Sequence, residues 1–179
     1  HATVEYSVGI DVDNEGLTSP IDGATSRYYQ LKKSYPNFPR MFFIHADASA
    51  LLNYNNQNKV LGGMTPKNKT LINKFFEQTD RKLFDRVNCQ FALHYFLEDD
   101  TTWSNFCENI DNNLKPGGYA LFTCFDARKV ISLLNNKNNM TIHYTNQKGE
   151  KRVLFDIVKK FDDSVLKQEM IGVGHAIDV

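Results

Sequence analysis

Apolar positions along this chain switch repeatedly between short runs and helically spaced faces. Val4 to Val12 reads as a strand, with Val8, Ile10 and Val12 apolar and Asp11 and Asp13 at its end. Asp22-Gly23 then opens a helix carrying Ile21, Ala24, Tyr28 and Leu31, which Pro36 to Pro39 terminates. Arg40 to Ala46 is a second apolar run and stops at Asp47; residues 48–65 are polar enough to predict loop, with Asn53 to Asn58 polar and Gly62-Gly63 a turn. A helix is expected from Lys67, with Leu71, Ile72, Phe75 and Phe76 on one face. Phe84 to Val87 starts the next strand, and the chain runs on without a break through Gln90-Phe91-Ala92-Leu93-His94-Tyr95.

Trp103, Phe106, Cys107, Ile110 and Leu114 recur at helical spacing and predict an amphipathic helix packed into the core. Asp99, Asp100 or Thr101 caps its start, and Pro116-Gly117-Gly118 stops it. Tyr119 to Phe125 is a fourth strand, followed by a helix that Asp126 caps and that carries Val130, Ile131 and Leu134. After Asn139 the repeat becomes alternating, around a Gln147-Lys148-Gly149 turn, with a final run from Met170 to Val179. Strands and helices alternating at this spacing predict a doubly wound α/β sheet. The expected organisation is one domain over 1–179, with an α/β core over 1–138 and a β-rich, antiparallel extension over 139–179.

Composition narrows the function classes. With 179 residues, 41% hydrophobic and 23% charged, the chain has the make-up of an ordinary globular domain. Its formal net charge is zero, so no global basic field holds nucleic acid, and any such partner must be gripped locally. No apolar run approaches the roughly 20 residues of a membrane span. Cys89, Cys107 and Cys124 are odd in number and widely spaced, which argues against a disulfide framework or a zinc site; the five histidines show no ligand spacing. No membrane partner and no metal are expected.

The residues with chemistry lie at strand ends, where open α/β sheets bind ligands. Asp11 and Asp47 each follow an apolar strand. A carboxylate there caps the next turn or accepts hydrogen bonds from a ligand such as a ribose or an amine, each worth roughly 1.5–3 kcal/mol. Gln90, Phe91, His94 and Tyr95 mix an amide, an imidazole and aromatic rings where a buried strand should simply turn polar, which suits a flat, polar heterocycle. The alternatives are that Phe91 packs under the sheet edge and that His94 is a satisfied core histidine. Phe125, after the fourth strand, adds a ring to such a pocket or packs. No nucleophile partners His94 or Tyr95, so a hydrolytic triad is unsupported. Lys32-Lys33 and Lys67 to Lys69 read as solvated faces.

The succession VGIDV, HADAS, FDRVNCQFALHYF and LKPGGYALFT resembles the mRNA cap guanine-N7 methyltransferases, and among them the methyltransferase domain of large capping enzymes of cytoplasmic DNA viruses. The likeness runs from Gly9 to Asp126 and is narrowest in the Q-F-x-x-H-Y string from Gln90 to Tyr95. The resemblance implies a Rossmann-like class I methyltransferase sheet, S-adenosyl-L-methionine as cofactor and the 5′ cap of mRNA as partner, in the cytoplasm of a host or in a virion. It further implies that Asp11 binds the donor's ribose and Asp47 its adenine amine, that Gln90 and Tyr95 line the donor pocket, and that His94, with Phe91 and Phe125, faces the cap guanine. Methyl transfer to N7 needs no general base, so the implied mechanism is proximity, with no catalytic acid or base.

Two departures accompany the resemblance. The residue after Asp47, often serine in the family, is Ala48, and the family's glycine-rich D-x-G-x-G loop does not occur in this sequence. The expectation is a truncated domain that binds the donor poorly by itself. Two rival readings follow: an inactive methyltransferase-like module that scaffolds or activates a capping complex, and a methyltransferase acting on a small molecule. Other capping domains or an activating subunit are further expected partners.

Overall fold

Parallel pairing joins β1 (Tyr6–Asp11) to β2 (Arg40–His45) in one continuous register, with Tyr6 opposite Arg40 and Asp11 opposite His45. The structure, a computed structural model, describes residues 4–134, 137–160 and 177–178. Parallel neighbours need a crossover, and here it consists of α1 (Asn14–Thr18) and α2 (Ala24–Ser34). Asp13 caps α1 by accepting from Glu15 N at 3.0 Å. The hydrophobic pattern carries no signal for α1, because a segment shorter than two turns has no repeat to detect.

Helix α3 (Tyr54–Val60) replaces the loop expected there. Asparagine side chains compete with the backbone and favour turns, so local propensity points away from helix. Asn53 instead caps the segment, accepting from Asn56 N at 2.9 Å, and Gln57 is completely buried. Next come α4 (Pro66–Ile72), capped by Thr65 with proline in its first turn, and a π-helical turn over Asn73–Glu77 that buries Phe75 and Phe76.

Strand β3 (Phe84–Gln90) is hydrogen-bonded to β4 (Leu114–Thr123), with α5 (Asp100–Asn113) between them in sequence. β4 begins at Leu114 rather than Tyr119 and ends at Thr123, so Pro116-Gly117-Gly118 lies within the strand and Phe125 outside it. Gly118 is what permits this. A Cβ there would lie 2.9 Å from Asp85 O and 2.7 Å from Leu114 Cδ1, too close for any other residue without a shift. Lys115 and Asp85 form an ion pair beside it.

The chain divides into two units, His1–Val87 with Thr101–Ala120 and Asn88–Asp100 with Leu121–Val179. In the first, Ile44, Ala46, Leu52, Ile72, Phe75 and Phe76 form the core. Ile44 and Ile72 are wholly buried, each such side chain contributing about 1.5–3 kcal/mol. Tyr6, Phe42 and Phe75 add mutual ring contacts, the closest at 4.9 Å between centroids. On α5 only part of the expected core face holds. Phe106 is buried, whereas Trp103 is 42% exposed. The helix is rotated so that Phe106, Asn109 and Asn113, spaced i, i+3, i+7, face inward.

In the second unit, α6 (Ala127–Leu134) begins at Asp126, whose Oδ1 accepts from Arg128 N at 3.0 Å. β5 (Asn139–Thr145) and β6 (Lys151–Lys159) form an antiparallel hairpin with an irregularity between Ile142 and His143. Ile157 packs with Val130 and Leu134. β7 (Ile177–Asp178) adds to β6, with Val158 opposite Asp178; the rest of the expected run from Met170 to Val179 lies outside the described residues. Among the described residues no helix is long and apolar enough to cross a membrane, and no group of three or more His, Cys, Asp or Glu could hold a metal.

Candidate functional site

The register of β1 on β2 brings Asp11 and Asp47 to the carboxyl end of one parallel pair. Ala46 N donates to Asp11 O at 3.0 Å and His45 Nε2 donates to Val12 O at 3.0 Å, tying the two strand exits together. Asp47 lies two residues past His45. Each carboxylate uses a single oxygen locally. Asp11 Oδ1 accepts from Asp13 N at 2.9 Å, while Asp47 Oδ1 accepts from Ser49 N at 2.8 Å and Ser49 Oγ at 2.6 Å. These are Asx-type turns. Among the described residues no protein donor meets either Oδ2. Turn-capping and an available acceptor therefore coexist on both side chains. The hydroxyl that engages Asp47 comes from Ser49, the second residue after it, where Ala48 has none.

Two buried amides hold the Asp47 segment, and reading the sequence missed both. Gln57 Oε1 accepts from Asp47 N at 2.8 Å, and its Nε2 donates to Asp47 O at 2.8 Å and Leu51 O at 3.1 Å. Asn109 Oδ1 accepts from Leu52 N at 2.9 Å, and its Nδ2 donates to Ala50 O at 2.9 Å and Ala48 O at 3.1 Å. Asn105, one turn earlier on α5, donates to Ser49 O at 3.0 Å. The available signal was asparagine recurring at 105, 109 and 113 on one helical face.

Gln90, Phe91, His94, Tyr95 and Phe125 belong to the second unit. The strand ends at Gln90 rather than running on to Tyr95, because Phe91 has φ +54°. That left-handed conformation disfavours a side chain with a Cβ. Its backbone N–H is held by Thr123, donating to Thr123 O at 2.9 Å and to Oγ1 at 3.1 Å. The same hydroxyl donates to Gln90 Oε1 at 2.8 Å, and Gln90 Nε2 donates to Asn88 Oδ1. Thr123 and Asn88 thus orient the Gln90 amide, and neither stood out in the sequence.

Phe91 is 58% exposed and its ring lies 5.7 Å from that of Phe125, so it does not pack beneath the sheet. His94 is exposed too, which removes the core-histidine reading; its ring lies 4.2 Å from that of Tyr95 in the short 3₁₀ turn Leu93–Leu97. Part burial pushes the Cys89 thiol above its ordinary pKa, partly offset by a backbone hydrogen bond at Ala92. A raised thiol is a poor nucleophile. A groove of about 680 Å³ lined by Tyr54, Lys69, Lys74 and Glu77 contains none of the predicted site residues.

Residues 1–161 match the family model for the mRNA (guanine-N(7))-methyltransferase domain. The chain belongs to that family. It is 43% identical, over all 179 of its residues, to a probable mRNA-capping enzyme of Acanthamoeba polyphaga mimivirus, of which it covers 15%. A 56-residue stretch, 31% of the chain, is 41% identical to an mRNA cap guanine-N(7) methyltransferase of Caenorhabditis elegans and covers 15% of it. The chain therefore spans about 15% of the length of the curated relatives it matches. Its α/β architecture, with parallel β1 and β2, is consistent with a methyltransferase domain of this family.

Proposed function

We propose that this chain is part of an enzyme that methylates N7 of the guanine cap of RNA, on a Rossmann-like class I sheet and with S-adenosyl-L-methionine as donor. The observation that carries the reading is the pair Asp11 and Asp47, each with one carboxylate oxygen unengaged among the described residues, at the carboxyl end of parallel strands, in a chain of this family. The donor set fits: oxygen acceptors without protons suit ribose hydroxyls (Asp11) and an adenine amine (Asp47). In the same proposal Gln90 and Tyr95 serve the donor and His94, Phe91 and Phe125 serve the guanine, roles supported by the family resemblance of the Gln90–Tyr95 string. S-adenosyl-L-methionine supplies an electrophilic methyl group when bound. The guanine N7 already has a lone pair and carries no proton, so the protein's task is binding and alignment, and positioning of this kind accounts for roughly 7–11 kcal/mol of barrier. Exposed rings at Phe91 and Tyr95 support base stacking, worth about 1–3 kcal/mol per base.

The 5′ cap of mRNA is the proposed partner, with other capping domains or an activating subunit beside it, in a host cytoplasm or a virion. The division into an α/β core over 1–138 and a β-rich extension over 139–179 belongs to the same proposal, supported by parallel pairing in the first and antiparallel pairing in the second. The test is methyl incorporation into GpppRNA by the full-length protein, with cap analogue and free small metabolites as competitors. Incorporation that only cap analogue suppresses supports the proposal. Suppression by a metabolite points to a small-molecule substrate, and no incorporation at all points to a non-enzymatic module. With Asp11→Ala the KM for the donor should rise about 10–150-fold, the equivalent of one charge-assisted hydrogen bond, while the KM for the cap stays put.

A further inference from the structure

We infer that Gln57, Asn109 and Asn105 form an amide clamp that aims the Asp47 carboxylate, and that this clamp sets preference for adenine at the donor site. The inference rests on the donor reading of Asp47 given above. Its basis is the hydrogen-bond pattern around residues 47–52. Gln57 is 0% exposed and Asn109 is 7% exposed, so both amides are withdrawn from water and every bond they make is internal. Between them they engage Asp47 N, Asp47 O, Ala48 O, Ala50 O, Leu51 O and Leu52 N. Asn105 takes Ser49 O at 3.0 Å, and Ser49 in turn gives both its donors to Asp47 Oδ1.

The consequence is directional. Oδ1 is locked by Ser49, so Oδ2 has one orientation rather than two interchangeable ones. An acceptor fixed in place favours a ligand edge that donates, as the 6-amino group of adenine does. It disfavours one that accepts, as the 6-carbonyl of hypoxanthine does, because two acceptors then face each other and neither gains a hydrogen bond. A backbone loop without the clamp would let the carboxylate swing away and tolerate either base. Gln57 and Asn109 come from different helices, α3 and α5, so the backbone that carries the Asp47–Ser49 turn is placed by the packing of this unit, while the turn itself holds Oδ1.

The experiment compares dissociation constants for S-adenosylhomocysteine and S-inosylhomocysteine in the full-length protein, with Tm recorded for each variant. The native protein should prefer the adenosyl ligand by about tenfold or more, as one charge-assisted hydrogen bond dictates. Asp47→Ala should abolish the preference. Gln57→Met should abolish it as well although Asp47 is intact. Asn105→Ala, which removes a single half-buried amide, should reduce it by about threefold with Tm unchanged; this variant carries the test if Gln57→Met fails to fold. Full preference in a folded Gln57→Met or in Asn105→Ala, with Asp47→Ala having lost it, overturns the clamp and leaves the donor reading standing. No preference in the native protein overturns both.

Discussion

The two strand exits of this molecule solve one problem in opposite ways. After β2, Asp47 sits on a loop whose backbone is gripped by side chains from α3 and α5, through bonds that span up to 61 positions of sequence. After β3, the Phe91 backbone N–H is held by Thr123, in a conformation that costs about 1–2 kcal/mol for a residue with a Cβ. The first exit has its backbone bonded to two buried amides, with Asp47 Oδ2 left open among the described residues. The second is exposed, with the rings of Phe91, His94, Tyr95 and Phe125 turned toward solvent. On the proposed function, the contrast is what an acceptor read by geometry and a stacking surface would require: the first a fixed carboxylate, the second accessible rings with tolerance of local strain.

The largest effect should come from breaking the first exit. Gln57→Met removes the partner of Asp47 N and of buried carbonyls, and each orphaned group costs about 1–3 kcal/mol. Urea denaturation should show a loss of about 3 kcal/mol or more; a loss under about 1 kcal/mol would mean the loop does not depend on that amide. The exposed exit should behave in the opposite sense. Phe91→Gly relieves the left-handed backbone while adding chain entropy, so stability should change by under about 1 kcal/mol. Binding of cap analogue should nonetheless weaken by about 5–150-fold, the value of one stacked base. Strong destabilisation with unchanged cap binding would reverse the comparison.

Thr123→Val probes the link within the second exit. Phe91 N keeps Thr123 O, but Gln90 loses the hydroxyl that orients it. Stability should fall by only about 0.5–1.5 kcal/mol, and NMR of the Gln90 side-chain amide should report its release. The smallest effect is one of pH, at the hairpin of the second unit. Arg152 and then Asn146 hydrogen-bond the exposed Glu150 carboxylate and hold its pKa below the ordinary glutamate value. A folded pKa below the unfolded one means the stabilisation is complete above the ordinary value and is lost as pH falls through the lowered one. Protection factors for amide exchange at Lys148 and Glu150 should therefore fall only in acid, and Arg152→Ala should make that change slight.

Much of the fold could be read from the chain itself. The positions of β1 and β2, the Asp126 cap and the hairpin turn are local events, fixed by hydrophobic spacing and by side chains within a few residues of the backbone they cap. The residence of Asp11 and Asp47 at strand ends follows from the same local grammar, and so does the polar–aromatic string from Gln90 to Tyr95. Helix α3, the inward rotation of Asn109 at the expense of Trp103, and the exit of Phe91 from the strand were decided by tertiary structure. Leu52 N and Asn109 Oδ1 lie 57 positions apart in sequence and 2.9 Å apart in space. An amide gains nothing from burial until its partners are assembled, so no window of sequence holds the information that makes Gln57 and Asn109 interior.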